Sequence, residues 1–222
     1  MEHSKSFAYL PEAGLRPFEL ADTLTRSSLS MTAASFMEEA VTSLAAHYPF
    51  TPPADLIPGV QAMLRSVNDA LGSSQPLNIR ARCVRLAGIL CGVAGQIADD
   101  TAHPDQSTAW FSAAQVAADE TGDPDLAAWI LALRSIGCHF RGQYSLSAEL
   151  LDLARATAAS STSRRQAWLA ALSARAHACA SDVDLVACHP DQVIFTDRAG
   201  FQAFIREQVT HQRRGTTEIG GV

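Results

Sequence analysis

Four residues late in the sequence, His177, Cys179, Cys188 and His189, are of the types that hold zinc and fall within 13 residues of one another. Their spacing does not build a zinc site. His177 and Cys179 are two apart, so on a helix they point to different faces and cannot close on one ion. No metal and no cofactor is expected. Cys83, Cys91 and Cys138 stand in or beside apolar helical runs, where a thiol acts as a small hydrophobe. A total of five cysteines without paired spacing fits a reducing compartment rather than a disulfide framework.

Nucleophilic and hydrolytic chemistry finds no better footing. The chain has no Gly-x-Ser-x-Gly turn, no glycine-rich phosphate loop and no His-Glu-x-x-His pair. Asp99 and Asp100 fall at a predicted helix end, facing Thr101 to Asp105. Acid–base work would need them buried or convergent, which a helix-end loop does not provide. An enzyme is not expected, and no residue is assigned a catalytic role.

The candidates that remain are cations and histidines at repeat-like spacing. Arg134 lies off the apolar face of its predicted helix, Arg175 follows about one repeat later, and His139 and His177 are near them in sequence. Aligned on a concave surface, the four would favour an acidic peptide or an anionic small molecule. Pairing with Glu120 or Asp123 would instead make them ordinary polar surface. The other basic clusters, Arg80 to Arg85, Arg164-Arg165 and Arg213-Arg214, read as solvated helix or tail ends.

These side chains have to be positioned by helices, because the apolar spacing is helical almost throughout. Met37, Val41, Leu44 and Tyr48 mark a first helix, ended by Pro49. Leu56, Val60, Met63, Leu64, Val67 and Leu71 mark a second, which Pro58 should delay or bend. Val84, Leu86, Leu90, Val93 and Ile97 mark a third, with Gly88, Gly92 and Gly95 inside it, residues that suit close helix approach. A fourth starts at His103-Pro104 and stops at Thr121-Gly122, and Asp123 caps a fifth. The face of that fifth helix reads Leu126, Trp129, Ile130, Leu133, Gly137 and Phe140. A sixth follows Tyr144 with Leu146, Leu150, Leu153 and Thr157. A seventh starts at Ser163, with Gln166 as the capping-box partner, and buries Leu169, Leu172, Ala176 and Cys179.

Two of these stretches, Ser107 to Phe140 and Leu146 to Cys179, fall into register at about 40 residues, and Leu86-Ala87-Gly88-Ile89 aligns with Leu126-Ala127-Ala128-Trp129 at the same offset. The expected fold is all-α, antiparallel helical hairpins stacked as a tetratricopeptide-like solenoid. Residues 1–30 read as a lead-in linker, 31–182 as the repeat domain, 183–211 as a small strand-helix appendage built on Val193-Ile194-Phe195 and on Phe201, Phe204, Ile205 and Val209, and 212–222 as a disordered tail.

A net charge of −6 speaks against broad affinity for nucleic acid, whose binders carry a basic excess. The polar start from Met1 to Ser6 has no apolar run after it, and no 18 consecutive residues are apolar, so a cytoplasmic protein that does not enter a membrane is expected.

The run Pro17-Phe18-Glu19-Leu20-Ala21-Asp22-Thr23-Leu24-Thr25-Arg26-Ser27-Ser28, with Met37-Glu38-Glu39-Ala40-Val41 and Tyr48-Pro49-Phe50, resembles the region after the DNA-binding domain in helix-turn-helix regulators of filamentous, antibiotic-producing soil bacteria. Thr121 to Trp129 and Ala174-Arg175-Ala176-His177-Ala178 resemble the tetratricopeptide repeats that follow in those proteins. The likeness spans about residues 16 to 182. Only about 16 residues precede it, too few for a helix-turn-helix domain, so direct DNA binding is not expected. Asp191 to Ile205 resembles the closing strand and helix of a small uncharacterised domain often encoded beside such regulators. The resemblance implies a regulatory interaction scaffold linked to transcription, with a protein or peptide partner, an acidic one by the charges above. A second copy of the chain is a further partner it admits. The alternative it implies is a small-molecule-sensing regulator that acts through a separate DNA-binding subunit.

Overall fold

The computed structural model describes residues 29–158 and 163–181. Among them are seven helices and no strand: α1 Met31–His47, α2 Pro53–Leu71, α3 Leu77–Asp100, α4 Pro104–Thr121, α5 Pro124–Phe140, α6 Tyr144–Thr157 and α7 Ser163–Ala180, with a single 3-10 turn at Tyr48–Phe50. The fold is all-α. The expected linker up to Ser28, the strand-helix appendage and the tail lie outside the described residues.

The helix ends follow local chemistry. Ser30 accepts a hydrogen bond from the Ala33 amide and starts α1, and Asp123 accepts from the Asp125 and Leu126 amides and starts α5. Proline opens α2, α4 and α5, where the missing N–H costs nothing. Gly122 ends α4 in the left-handed region, at φ 61°, so the chain reverses without a Cβ clash.

Each helix packs against the next, and in addition α1 meets α3, α3 meets α5, and α5 meets α7. The core lies along α3 and α5. By length and apolarity α3 could cross a membrane, yet 78% of its most apolar window is buried in the protein. At the α3–α5 contact a Cβ on Gly92 would overlap the Trp129 ring, and Trp129 is fully buried. The glycines of α3 serve close approach, as their placement suggests.

The forty-residue register recurs in the burial pattern. Ser107, Phe111, Ala114 and Ala118 on α4 are buried, and so are Ser147, Leu151, Ala154 and Ala158 forty residues on. Ile89, Trp129 and Leu169 form the same series on α3, α5 and α7.

Several expectations are corrected. Pro58 does not delay the second helix, which begins at Pro53 and carries Pro58 inside it. Phe140 is 53% exposed, because α5 ends there and its last turn passes the edge of the core. On α6 the buried face is Ser147, Ala148, Leu151 and Ala154, whereas Leu146 and Leu153 are exposed. Arg82 and Arg165 are not solvated helix ends: both are buried, each against a carboxylate from another helix.

Candidate functional site

The four residues singled out for a groove stand on α5 and α7. Arg134 is exposed in mid-α5, and His139, in the last turn of the same helix, is buried. The His139 ring meets Tyr144 edge-on, with centroids 5.1 Å apart, and Phe140 at 6.0 Å. Burial, reinforced by the positive charge of Arg175, pushes its pKa down to about 4, so the imidazole is neutral near pH 7. Arg175 is half-buried on α7. His177 is exposed and pairs through Nε2 with both Asp152 oxygens on α6, at 3.1 Å each, and Ser173 Oγ donates to Asp152 Oδ1 at 3.4 Å.

The structure therefore brings His139 and Arg175 together and turns His177 toward α6. It does not set the two arginines at equivalent positions. Forty residues before Arg175 stands Ser135, which is buried, while the counterpart of Arg134 is Ala174. Asp123, considered as a partner for these cations, is instead held by Arg85 at 2.7 Å.

Beside His177 an open cavity of about 690 Å³ lies between α6 and α7, lined by Asp152, Arg155 and Ala156 on one side and Gln166, Ala167, Leu169 and Ala170 on the other. The register explains the space. Leu86 and Leu126 precede Gln166, and Leu90 and Ile130 precede Ala170; all four of those earlier residues are buried core side chains. A large aliphatic residue has been replaced by a polar one at the first position and by a methyl group at the second.

Two polar arrangements escaped the sequence. The first is a series of ion pairs between alternate helices. Glu38 on α1 receives two hydrogen bonds from Arg82 on α3, at 2.7 and 2.6 Å, with both residues buried. Arg85 on α3 pairs with Asp123 at the head of α5, and Arg165 on α7 pairs with Asp125 on α5. Burial lowers the Arg85 pKa from its ordinary value and the nearby carboxylates of Asp123 and Asp125 oppose that shift. Positions 85, 125 and 165 are forty apart, so the repeat itself was the signal.

The second is the acidic end of α3. The Asp99 side chain is only 7% exposed, contrary to its reading as a helix-end loop residue: Oδ1 accepts from Arg141 at 2.7 Å, and Oδ2 rests against Gly137 with no hydrogen-bond partner among the described residues. Tyr48 donates to Asp100, and Gln96 donates to it at 3.0 Å. Each carboxylate is engaged from another element, so the pair anchors the turn after α1 and the residue after α5 to α3 and does not converge on a common point.

The cysteines behave as expected of core groups. Cys83, Cys91, Cys138 and Cys179 are buried, and burial raises the Cys91 thiol to about 11 and the Cys83 thiol above its ordinary value. Among the described residues no group of three or more His, Cys, Asp and Glu side chains is arranged to hold a metal. No family model, no curated protein and no solved structure matches this chain.

Proposed function

We propose that the chain is a regulatory interaction scaffold of the tetratricopeptide type, its hairpins stacked as a solenoid, and that it is linked to transcriptional control through a protein or peptide partner. The observation that carries this reading is the reuse of one forty-residue set of buried positions on α3, α5 and α7, with these helices touching in chain order. Stacked units of that kind present continuous surfaces, and such surfaces bind chains rather than enclose reactions. Arg134 and Arg175 supply positive character on α5 and α7, which suits an acidic partner. DNA contact by this chain itself, a membrane role and a catalytic role form no part of the proposal.

The test is charge reversal in the full chain. Arg134→Glu and Arg175→Glu, singly and together, should weaken capture of the native partner, more than alanine does and less at high salt, with helicity by circular dichroism unchanged. Capture that survives the double reversal sinks the acidic-partner reading.

The cavity between α6 and α7 favours a second reading, a small-molecule sensor that acts through a separate DNA-binding subunit. Asp152, Arg155 and Gln166 offer both charges and an amide over an apolar floor. A metabolite that raises the melting temperature of the parent but not of Ala170→Leu, which refills the cavity, would favour it.

A further inference from the structure

The first three odd-numbered helices are each followed by a helix that packs back on them: α1 by α2, α3 by α4, α5 by α6. No described helix does this for α7. The face where one would lie can be read from α3. A Cβ on Gly88 would meet Ala117 of α4 at 3.0 Å as well as Leu126 of α5 at 2.9 Å, and one on Gly95 would meet Phe111 of α4 at 2.9 Å, so α4 packs along the stripe through Gly88, Cys91, Gly95 and Ala98, with α5 beside it at Gly88. Forty residues on, Ala128, Leu131, Ser135 and Cys138 of α5 are all buried. Another forty on, the stripe is Trp168, Ala171, Arg175 and Ala178 of α7, and there Ala171 and Ala178 are exposed. The Trp168 Nε1–H, on the same stripe, is buried without an acceptor among the described residues.

We propose that this open face of α7 is the seat of the chain's own segment Gly200–Val209. That segment carries Phe201, Phe204, Ile205 and Val209 at helical spacing in the sequence, bulky residues that complement the methyl groups of Ala171 and Ala178. Residues 182–199 join the two. At about 3.3 Å per residue they can span more than the ~27 Å length of α7, so the segment can reach any part of this face. A tethered segment also outcompetes a free partner of equal affinity, because its effective concentration is set by the connection. The inference rests on the repeat reading proposed above, since the register locates the face.

Hydrogen exchange on the full chain tests it. Amides of residues 200–209 are expected to be protected in the parent. In Ala171→Arg they should exchange at least about tenfold faster, while Ala170→Arg, at the adjacent residue but off the stripe, leaves them unchanged. Phe204→Glu should in return speed exchange in α7. Segment amides that exchange freely in the parent, or that ignore Ala171→Arg, would overturn the proposal. So would a parent dimer whose dissociation accompanies the change, because the face would then belong to a second copy. Protection across α3–α6 reports the repeat reading separately: cooperative protection there, with an indifferent segment, condemns only the docking. Arg175 lies on this stripe and Arg134 off it, so partner capture is read independently of the docking through Arg134→Glu alone.

Discussion

Arg165 on α7 pairs with Asp125 on α5, and each stands forty residues after the previous charge in the series that begins at Arg85 on α3. The Arg165 side chain is 4% exposed and Asp125 32%. Removing the carboxylate leaves a buried guanidinium without this counter-charge. Asp125→Ala should therefore cost about 3 kcal/mol, at the low end of the range for a broken buried pair because Asp125 is partly solvated. Replacing both, Asp125→Leu with Arg165→Met, should recover most of the loss, since a well-packed apolar pair avoids the desolvation of two ions. Urea melts of the two variants and the parent decide this; equal losses in both would mean the pair contributes packing alone.

Gly137 on α5 and Asp99 on α3 make a sharper double-mutant test. A Cβ at Gly137 would overlap Asp99 Oδ2, so Gly137→Ala should destabilise by about 1–3 kcal/mol, the usual cost of overpacking. In an Asp99→Ala background the obstruction is gone, and the same change should become favourable by about 1 kcal/mol, because alanine exceeds glycine in intrinsic helicity. Thermal melts that show the same sign in both backgrounds would rule out the contact.

Helix ends were legible because their signals are local: Ser30, Asp123, Gly122 and the opening prolines act on their own turn of backbone. The face of α5 was legible through Leu126, Trp129, Ile130 and Leu133, although burial extends round the helix to Leu131, Ser135 and Cys138. On α6 the same reasoning chose wrongly. Leu146, Leu150 and Leu153 have helical spacing, and Leu150 is partly buried against the core, but Leu146 and Leu153 are exposed and the buried face is Ser147, Ala148, Leu151 and Ala154, mostly small residues that permit closer approach. The buried arginines were hidden for a related reason. A cation is placed inside by a partner supplied from a distant helix, as Glu38 does for Arg82 across 44 residues, and spacing within one helix carries no trace of that.

The α6 correction is testable with three substitutions. Leu146→Lys and Leu153→Lys should each change stability by no more than about 0.5 kcal/mol, as substitutions on an exposed surface do. Leu151 is fully buried, and Leu151→Ala should cost about 2–5 kcal/mol. Chemical denaturation that ranks Leu153 above Leu151 would restore the face expected from the sequence.

Stability should also fall on mild acidification, through His139. Its folded pKa is depressed to about 4 by burial and by Arg175, whereas an unfolded histidine titrates near 6.5. Between those values the unfolded chain binds a proton that the folded chain refuses, so the stability of unfolding decreases as pH drops. The contribution is fully present above about pH 6.5 and is spent by about pH 4, a loss on the order of 3 kcal/mol from this group. Denaturation midpoints of the parent should fall steadily from pH 7 to pH 4.5, and His139→Phe should flatten that slope. A variant whose slope matches the parent would show that His139 accepts its proton in the folded state.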